Sequence, residues 1–233
     1  MVKPPSVGTE QIAALDLFAG LPPAILSEVA DRGRVRAVPK GAILFSQGAP
    51  AERCHALLSG GVRIAQTGAG GGQLLVRLVG VGEMFGTVAL FTDRRYPAAA
   101  SAVLESVEIS WTEPALLELI QRYPRIALNL VKIIGARLRE VQDRLRELAT
   151  QRVDQRMAHT LVRLAEQRSV ENEEGTAIEF PLTRADLAAM CGATLHTASR
   201  ILTTWEKAGY IATRRQRISI RNIAELRRLA ENT

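Results

Sequence analysis

The chain has 233 residues, of which 47% are hydrophobic and 23% charged, and its formal net charge is +6. Length and composition exclude a disordered or fibrous chain, and they allow one large domain or two smaller ones. This excess of basic over acidic residues favours an acidic partner such as nucleic acid.

The N-terminal sequence MVKPPSVGTEQ lacks the apolar core of a signal peptide, and no apolar run is long enough to span a bilayer. The two cysteines, Cys54 and Cys191, cannot form a disulfide framework or a four-thiolate metal or Fe–S site within the chain. We therefore expect a cytoplasmic protein with no membrane partner.

Residues 1–112 predict a β-roll domain with a helical lead-in. The stretch LDLFAGLPPAILSEVADRG indicates the lead-in, which ends at Gly33. Strand-length runs divided by glycine turns then predict a small antiparallel β-roll. These runs are VRAVPKG, AILFSQG, CHALLSGGVRIAQTG, QLLVRLVGVGEMFG and SAVLESVEISW. The tract GAGGG at 68–72 lacks the lysine of a phosphate-binding loop, so we interpret it as a hairpin tip.

Residues 113–150 change to a helical period and predict a dimerisation helix. Three apolar heptads with charged residues between them are typical of a parallel coiled coil. The alternative is an amphipathic helix that packs on its own domain, but the strict 3.5-residue spacing favours a second copy. The predicted seam consists of Ala127, Val131, Ile134, Leu138, Val141, Leu145 and Leu148.

Residues 151–233 predict a winged helix-turn-helix domain. Thr183 and Thr194 are suited to cap two short helices, and Gly192 allows a tight turn between them. The second helix has an apolar row (Ala198, Ile201, Leu202, Trp205) and a polar row (His196, Ser199, Arg200, Thr203). The sequence YIATRRQRISI then predicts two strands around an Arg-rich tip.

The positive charge is concentrated in this last region. From 182 to 228, nine lysines and arginines stand against three acids, so this segment carries +6, the net charge of the whole chain. A concentrated basic patch on a two-faced helix is typical of a surface that binds phosphates.

With these features the sequence resembles the CRP/FNR family of bacterial transcription regulators. KGAILFSQG and LLSGGVRI match turns of the family's cyclic-nucleotide-binding β-roll, the heptad helix matches its dimerisation helix, and TASR lies in its recognition helix. The resemblance implies an α+β fold and a homodimer that regulates transcription at palindromic double-stranded DNA. It also implies contact with RNA polymerase.

The resemblance implies which residues contact DNA. The base-reading positions are His196, Ser199 and Arg200, and Arg200 is suited to a bidentate hydrogen bond with guanine. Many relatives have Glu where His196 stands, so the half-site should differ at that base. The phosphate-contacting positions are Thr183, Thr194, Thr197, Arg214, Arg215 and Arg217.

The effector site departs from the family pattern. Relatives that bind cAMP have a Gly-Glu pair and, further on, an Arg-Ser pair, whereas here Thr87 follows Gly86, and Pro97 and Ala98 replace Arg-Ser. A buried cyclic phosphate without its arginine would remain unpaired, which disfavours cAMP bound in the usual mode. The predicted pocket is instead apolar in character and consists of Gly86, Thr87, Val88, Pro97, Ala98, Val141 and Gln142.

Comparison with the CRP/FNR family also limits which other cofactors the chain could hold. Residues 1–53 contain no cysteine, which disfavours the Fe–S cluster of FNR-type oxygen sensors. The motif His-Thr-x-Ser-Arg resembles the nitric-oxide-responsive, denitrification-related branch, some of whose members are thought to use haem, so haem stays open as a cofactor. His55 and His159 would be its candidate ligands, although the sequence surroundings of each favour a structural role.

Two alternative functions stay open at this stage. One is a cyclic-nucleotide sensor that acts on a protein partner, and the other is a constitutive regulator with a vestigial pocket. We expect no enzyme activity, because the sequence has no paired carboxylates, no nucleophile–base motif and no metal-spaced His/Cys cluster.

Overall fold

A computed structural model describes residues 7–167, 169–172, 175–214 and 216–231. The fold is α+β, as predicted, and consists of two compact units. The first takes in the chain up to Thr67 together with Arg77–Glu140, and the second takes in Gly68–Val76 together with the chain from Val141 onward. The division into three parts at residues 112 and 150 stays a prediction.

The first part of the chain contains helices α1 (Thr9–Ala13) and α2 (Pro23–Asp31), eight strands and the short helix α3 (Thr87–Leu90). The strands are β1 (Arg34–Val38), β2 (Ile43–Phe45), β3 (Arg53–Ser59), β4 (Val62–Thr67), β5 (Gln73–Val79), β6 (Met84–Phe85), β7 (Ala99–Ala102) and β8 (Ser106–Thr112). They form two four-stranded sheets, ordered β1-β8-β3-β6 and β2-β7-β4-β5. The predicted β-roll is confirmed.

The two faces of the β1-β8-β3-β6 sheet differ in character because side chains alternate along each strand. On one face, Ile109 and Trp111 are fully buried among helical residues. The Trp111 ring lies 5.0 Å from Phe18 in an edge-to-face arrangement, and its indole N–H donates to the Val29 carbonyl at 2.8 Å. The opposite face carries the buried polar residues His55 and Glu108.

The segment predicted as one dimerisation helix is two helices, α4 (Glu113–Arg122) and α5 (Pro124–Thr150). The break at Tyr123 has a physical cause: Pro124 lacks an N–H and disfavours the helical conformation in the residue before it. Leu116 and Leu119 of α4 are fully buried in the core of the first unit. Within the described residues, no helix is both long and apolar enough to cross a membrane.

The second unit contains α6 (Val153–Gln167), α7 (Arg184–Met190), α8 (Leu195–Lys207) and α9 (Ile223–Glu231). Strands β9 (Ser169–Asn172), β10 (Gly175–Ile178), β11 (Ile211–Arg214) and β12 (Arg217–Ile220) form a sheet in the order β11-β12-β10-β9. The helix-turn-helix and its wing are therefore present as predicted. Helix α6 packs on α9, and Met157 and Leu161 of α6 are fully buried.

Candidate functional site

Side-chain caps fix the starts of the two helices of the helix-turn-helix. The Thr183 hydroxyl accepts from the Asp186 N–H at 3.0 Å, and the Asp186 carboxylate accepts from the Thr183 N–H at 3.0 Å and from its hydroxyl at 2.7 Å. The Thr194 hydroxyl accepts from the Thr197 N–H at 3.1 Å. Between the helices, Gly192 has a φ of +59°, a conformation that glycine adopts without strain.

Helix α8 has the two faces that its sequence predicts. Ala198 and Leu202 are fully buried, and Trp205 is 4% exposed, so this row is core. His196 and Arg200 are exposed on the other face. Within the described residues, the Arg200 guanidinium has no hydrogen-bond partner, so it is available to a ligand outside the chain.

An arginine of α7 crosses to the polar face of α8. Arg184 donates to the Thr203 hydroxyl at 3.2 Å and to the Ser199 carbonyl at 3.4 Å, and it forms an ion pair with Glu206 at 3.1 Å. These contacts fix the angle between the two helices and occupy the Thr203 hydroxyl. Sequence reasoning missed them because the partners are 15 to 22 residues apart.

The exposed polar side chains of α8 form a shallow concave surface. It is lined by His196, Ser199, Arg200, Thr203, Thr204 and Lys207. Leu195, the first residue of the helix, is 54% exposed and was not among the residues predicted to contact DNA. An apolar side chain is therefore exposed next to His196 at the start of α8.

The wing supplies further basic groups. Arg214 ends β11 and Arg217 begins β12, and both are exposed. Arg215 lies outside the described residues. Gln216, at the turn, has a φ of +67°.

A second hollow on α8 involves residues that the sequence did not indicate. Arg152 and Val153, at the start of α6, line it together with Thr197, Arg200 and Trp205. Arg152 is 84% exposed. The hollow therefore contains Arg200, the residue predicted to read a base, together with a second cation.

The residues predicted for the effector pocket are distributed over both units. Gly86 has a φ of +71°, a conformation that favours glycine, and an added Cβ would make close contacts of 3.1 Å with Tyr96 and 3.2 Å with His55. Thr87 is 7% exposed, and its hydroxyl has no partner among the described residues. In the first unit, Ala98 is buried whereas Val88 and Pro97 are exposed, and in the second unit Val141 and Gln142 are exposed.

The predicted seam is an uncovered apolar stripe along α5. Its exposed members are Val131 (67%), Ile134 (41%), Leu138 (56%), Val141 (59%), Leu145 (66%) and Leu148 (51%), while Ala127 is half-buried. Away from this stripe, Asn129 is buried and donates to the Leu17 and Ala19 carbonyls, both at 3.0 Å. Asn129 thus anchors α5 to the first unit, whereas the stripe presents apolar side chains to solvent.

The candidate haem ligands and the thiols are engaged in internal contacts. His55 is buried, and its two ring nitrogens lie 2.7 Å from a Glu108 oxygen and 3.3 Å from the Tyr96 hydroxyl. His159 contacts the Gln151 amide at 3.2 Å. Burial raises the pKa of Cys54 to about 12 and that of Cys191 to about 11, so both thiols are protonated at neutral pH and poor nucleophiles.

Two family models match the chain. A cyclic nucleotide-binding domain matches residues 35–123, and a Crp-like helix-turn-helix domain matches residues 155–229. The first match covers the strands of the roll, and the second covers the caps, the recognition helix and the wing described above.

The similar proteins are transcription regulators. The chain is 30% identical to the transcriptional regulator SdrP of Thermus thermophilus, over 78% of this chain and 86% of that protein. It is 25% identical to the CRP-like cAMP-activated global transcriptional regulator of Mycobacterium tuberculosis, over 95% and 99% of the two chains. A CRP/FNR-family regulator of Thermus thermophilus has a solved structure with a TM-score of 0.69, 28% identity and coverage of 85% and 99%.

Proposed function

Because the chain belongs to the CRP/FNR family of transcription regulators, we propose that it acts as a homodimer on palindromic double-stranded DNA. Its helix-turn-helix is a DNA-binding domain of the Crp type, and the chain is not an enzyme. The observation that carries the proposal is the exposed face of α8, where the Arg200 guanidinium has no partner within the described residues. As a regulator of bacterial genes it would act in the cytoplasm.

The base-reading role falls to the exposed face of α8. Arg200 donates two hydrogen bonds to a guanine, the most frequent specific contact in the major groove. His196 and Ser199 contact neighbouring bases. Leu195 adds an apolar contact that suits a thymine methyl group.

Phosphate contacts surround these bases and hold the helix in register. Thr194, Thr197 and the wing residues Arg214 and Arg217 are proposed for this role, as is Arg215, and Arg152 extends the same basic surface. Thr183 is engaged by Asp186 through its hydroxyl and its amide, so a phosphate bound there would compete with the cap.

The homodimer forms through the apolar stripe of α5. Its 4-3-4-3 spacing matches the seam of a coiled coil, and a second copy is the partner whose stripe has the same spacing. A twofold dimer presents two recognition helices to half-sites about one helical turn, roughly 34 Å, apart. The family further implies contact with RNA polymerase.

The effector is proposed not to be cAMP bound in the usual mode. The Mycobacterium tuberculosis relative is named as cAMP-activated, but Thr87 and Pro97 supply neither a carboxylate nor a guanidinium at the expected positions. The buried Thr87 hydroxyl offers one uncharged polar group instead. A constitutive regulator with a vestigial pocket is the second candidate, and the matched DNA-binding domain does not favour action on a protein partner alone.

A haem effector has less support. Both ring nitrogens of His55 face polar partners, so iron ligation would break a contact to Glu108 or Tyr96. Assignment to the nitric-oxide-responsive branch stays a prediction from the recognition-helix motif.

Binding measurements on single-base variants of the operator test the base-reading role. Arg200→Ala should cost about 1–3 kcal/mol on the preferred half-site and relax the preference at one base pair. Arg217→Ala is the matched control, because it removes a cation from the wing and should weaken binding to all operator variants about equally. Uniform weakening by Arg200→Ala, with specificity intact, would refute the assignment.

A further inference from the structure

A second cleft lies in the first unit, next to Gly86 of the predicted effector pocket. It has a volume of about 300 Å3 and opens over the polar face of the β1-β8-β3-β6 sheet. Its basic side chains are Arg34, Arg36 and Arg53, and its apolar wall consists of Leu44, Phe45, Ala49 and Pro50. None of the seven residues predicted for the effector pocket lines this cleft.

The strand register explains why these polar groups converge. Arg34 pairs with Ser110, and Ser110 pairs with His55 on its other side, so the three side chains form one row across the sheet. The next row places Arg36 beside Glu108. Because directly opposed residues point to the same face, both rows line the cleft.

The negative charge at the floor of the cleft is compensated within the site. Glu108 is 2% exposed, and one carboxylate oxygen accepts from Arg36 Nε at 2.8 Å while the other lies 2.7 Å from His55 Nδ1. Burial alone would raise the Glu108 pKa, but the hydrogen bonds and charges of His55 and Arg36 lower it below its usual value. Glu108 is therefore ionised at neutral pH and fully paired.

The contacts of His55 connect the floor of the cleft to its aromatic wall. The Tyr96 hydroxyl donates to the Arg53 carbonyl at 2.7 Å, since a carbonyl oxygen can only accept. The two ring nitrogens of His55 lie 2.7 Å from a Glu108 oxygen and 3.3 Å from the Tyr96 hydroxyl. His55 is therefore held between the buried carboxylate and Tyr96.

The arginines at the opening retain donors for a ligand. Arg53 donates from Nε to the Ser110 hydroxyl and from Nη2 to the Ser110 carbonyl, so its Nη1 remains available as a donor to a ligand. The Arg34 guanidinium has no partner within the part of the chain that the structure describes. With Arg36, three guanidinium groups face the two carboxylates of Glu52 and Glu108.

We propose that this cleft binds a small organic carboxylate with an apolar body. The carboxylate receives hydrogen bonds from Arg34 and Arg53, and the apolar part packs on the wall formed around Phe45. Phe45 is rigidly held, because its ring stacks on Tyr96 with centroids 3.8 Å apart. A charged group beside a concave apolar wall is the usual composition of a small-molecule site.

The cleft adjoins the segment that begins α3. Phe45, His55 and Tyr96 are the three side chains nearest to Gly86, where an added Cβ would lie 3.1 to 3.4 Å from them. A ligand in the cleft would therefore neighbour the predicted effector pocket without contacting the seven residues predicted for it.

Calorimetric titration of the full chain with benzoate, in the absence of DNA, tests the proposal. We expect saturable binding of one benzoate per chain and none of benzamide, which has the same ring without the charge. Arg34→Ala should weaken benzoate binding about tenfold or more, because it removes a charge-assisted hydrogen bond. Lys40→Ala removes a cation from an exposed turn outside the cleft and should change the affinity less than about twofold.

Several results would overturn this assignment. Absence of saturable benzoate binding would refute the site, and equal weakening by Arg34→Ala and Lys40→Ala would indicate general charge attraction. Acetate binding as tightly as benzoate would refute the role of the apolar wall. The proposed DNA contacts are not involved in this measurement, so its failure is distinguishable from a failure of the DNA-binding proposal.

Discussion

The replacement Leu138→Lys tests the proposed dimer at the centre of its seam. Leu138 is 56% exposed in the single chain, so just over half of its surface can still be buried by a second copy. Full burial of a leucine contributes about 1.5–3 kcal/mol, which gives about 1–1.5 kcal/mol here for each copy. Two copies give about 2–3 kcal/mol, or a dimer weakened about 30- to 150-fold, before the cost of desolvating two ammonium groups is added.

Sedimentation velocity over a range of protein concentrations measures this change. Ala136→Lys is the matched control, because it adds the same charge to an exposed position of α5 two residues outside the seam. We expect Ala136→Lys to remain dimeric where Leu138→Lys sediments as a monomer. Equal masses for both variants, whether monomer or dimer, would refute the reasoning that this stripe forms the interface.

Three further predictions concern the interior and the caps. Cys54 and Cys191 should not react with a thiol reagent at pH 7.5 until the chain is unfolded in urea, because burial raises their pKa to about 12 and about 11; labelling of the native chain would contradict this. Glu108 has a lowered folded-state pKa, so its contribution to stability is present above its unfolded pKa, about 4.3, and is lost as pH falls through the lower folded value. Glu108→Gln should therefore lose less of its free energy of unfolding over this acid range than the parent chain, as measured by urea unfolding at several pH values. If the free energies of both chains fell equally with pH, the contacts of Glu108 with His55 and Arg36 would not contribute as described. Thr194→Ala should lower the free energy of unfolding by about 0.5–2 kcal/mol through loss of the α8 cap, whereas Thr194→Ser should retain most of it.

The elements that follow from local rules could be predicted from the sequence. The caps at Thr183 and Thr194, the left-handed glycine at 192 and the two faces of α8 depend on residues within a few positions of each other. The β-roll was predictable for the same reason, since glycine turns divide its strands. The heptads of α5 identified an apolar stripe, and that stripe is uncovered in the single chain.

Features that depend on distant residues could not be predicted. The division of 113–150 into two helices is an exception, because its signal, Pro124, is local and was overlooked in favour of the heptad pattern. Arg184 was counted as part of a basic segment, although its ion pair with Glu206 connects α7 to α8. The cleft around Arg34 and Arg53 requires the register of three strands, and a single sequence does not give that register.

Selection of binding sites from a pool of random double-stranded DNA tests the central claim most directly. The purified full chain should enrich a twofold-symmetric motif whose half-sites lie about one helical turn apart, with a conserved guanine in each half-site. Arg200→Ala should lose the preference for that guanine while it retains the symmetry. Failure to enrich any motif, or enrichment of a motif without twofold symmetry, would contradict a dimeric regulator that reads DNA through α8.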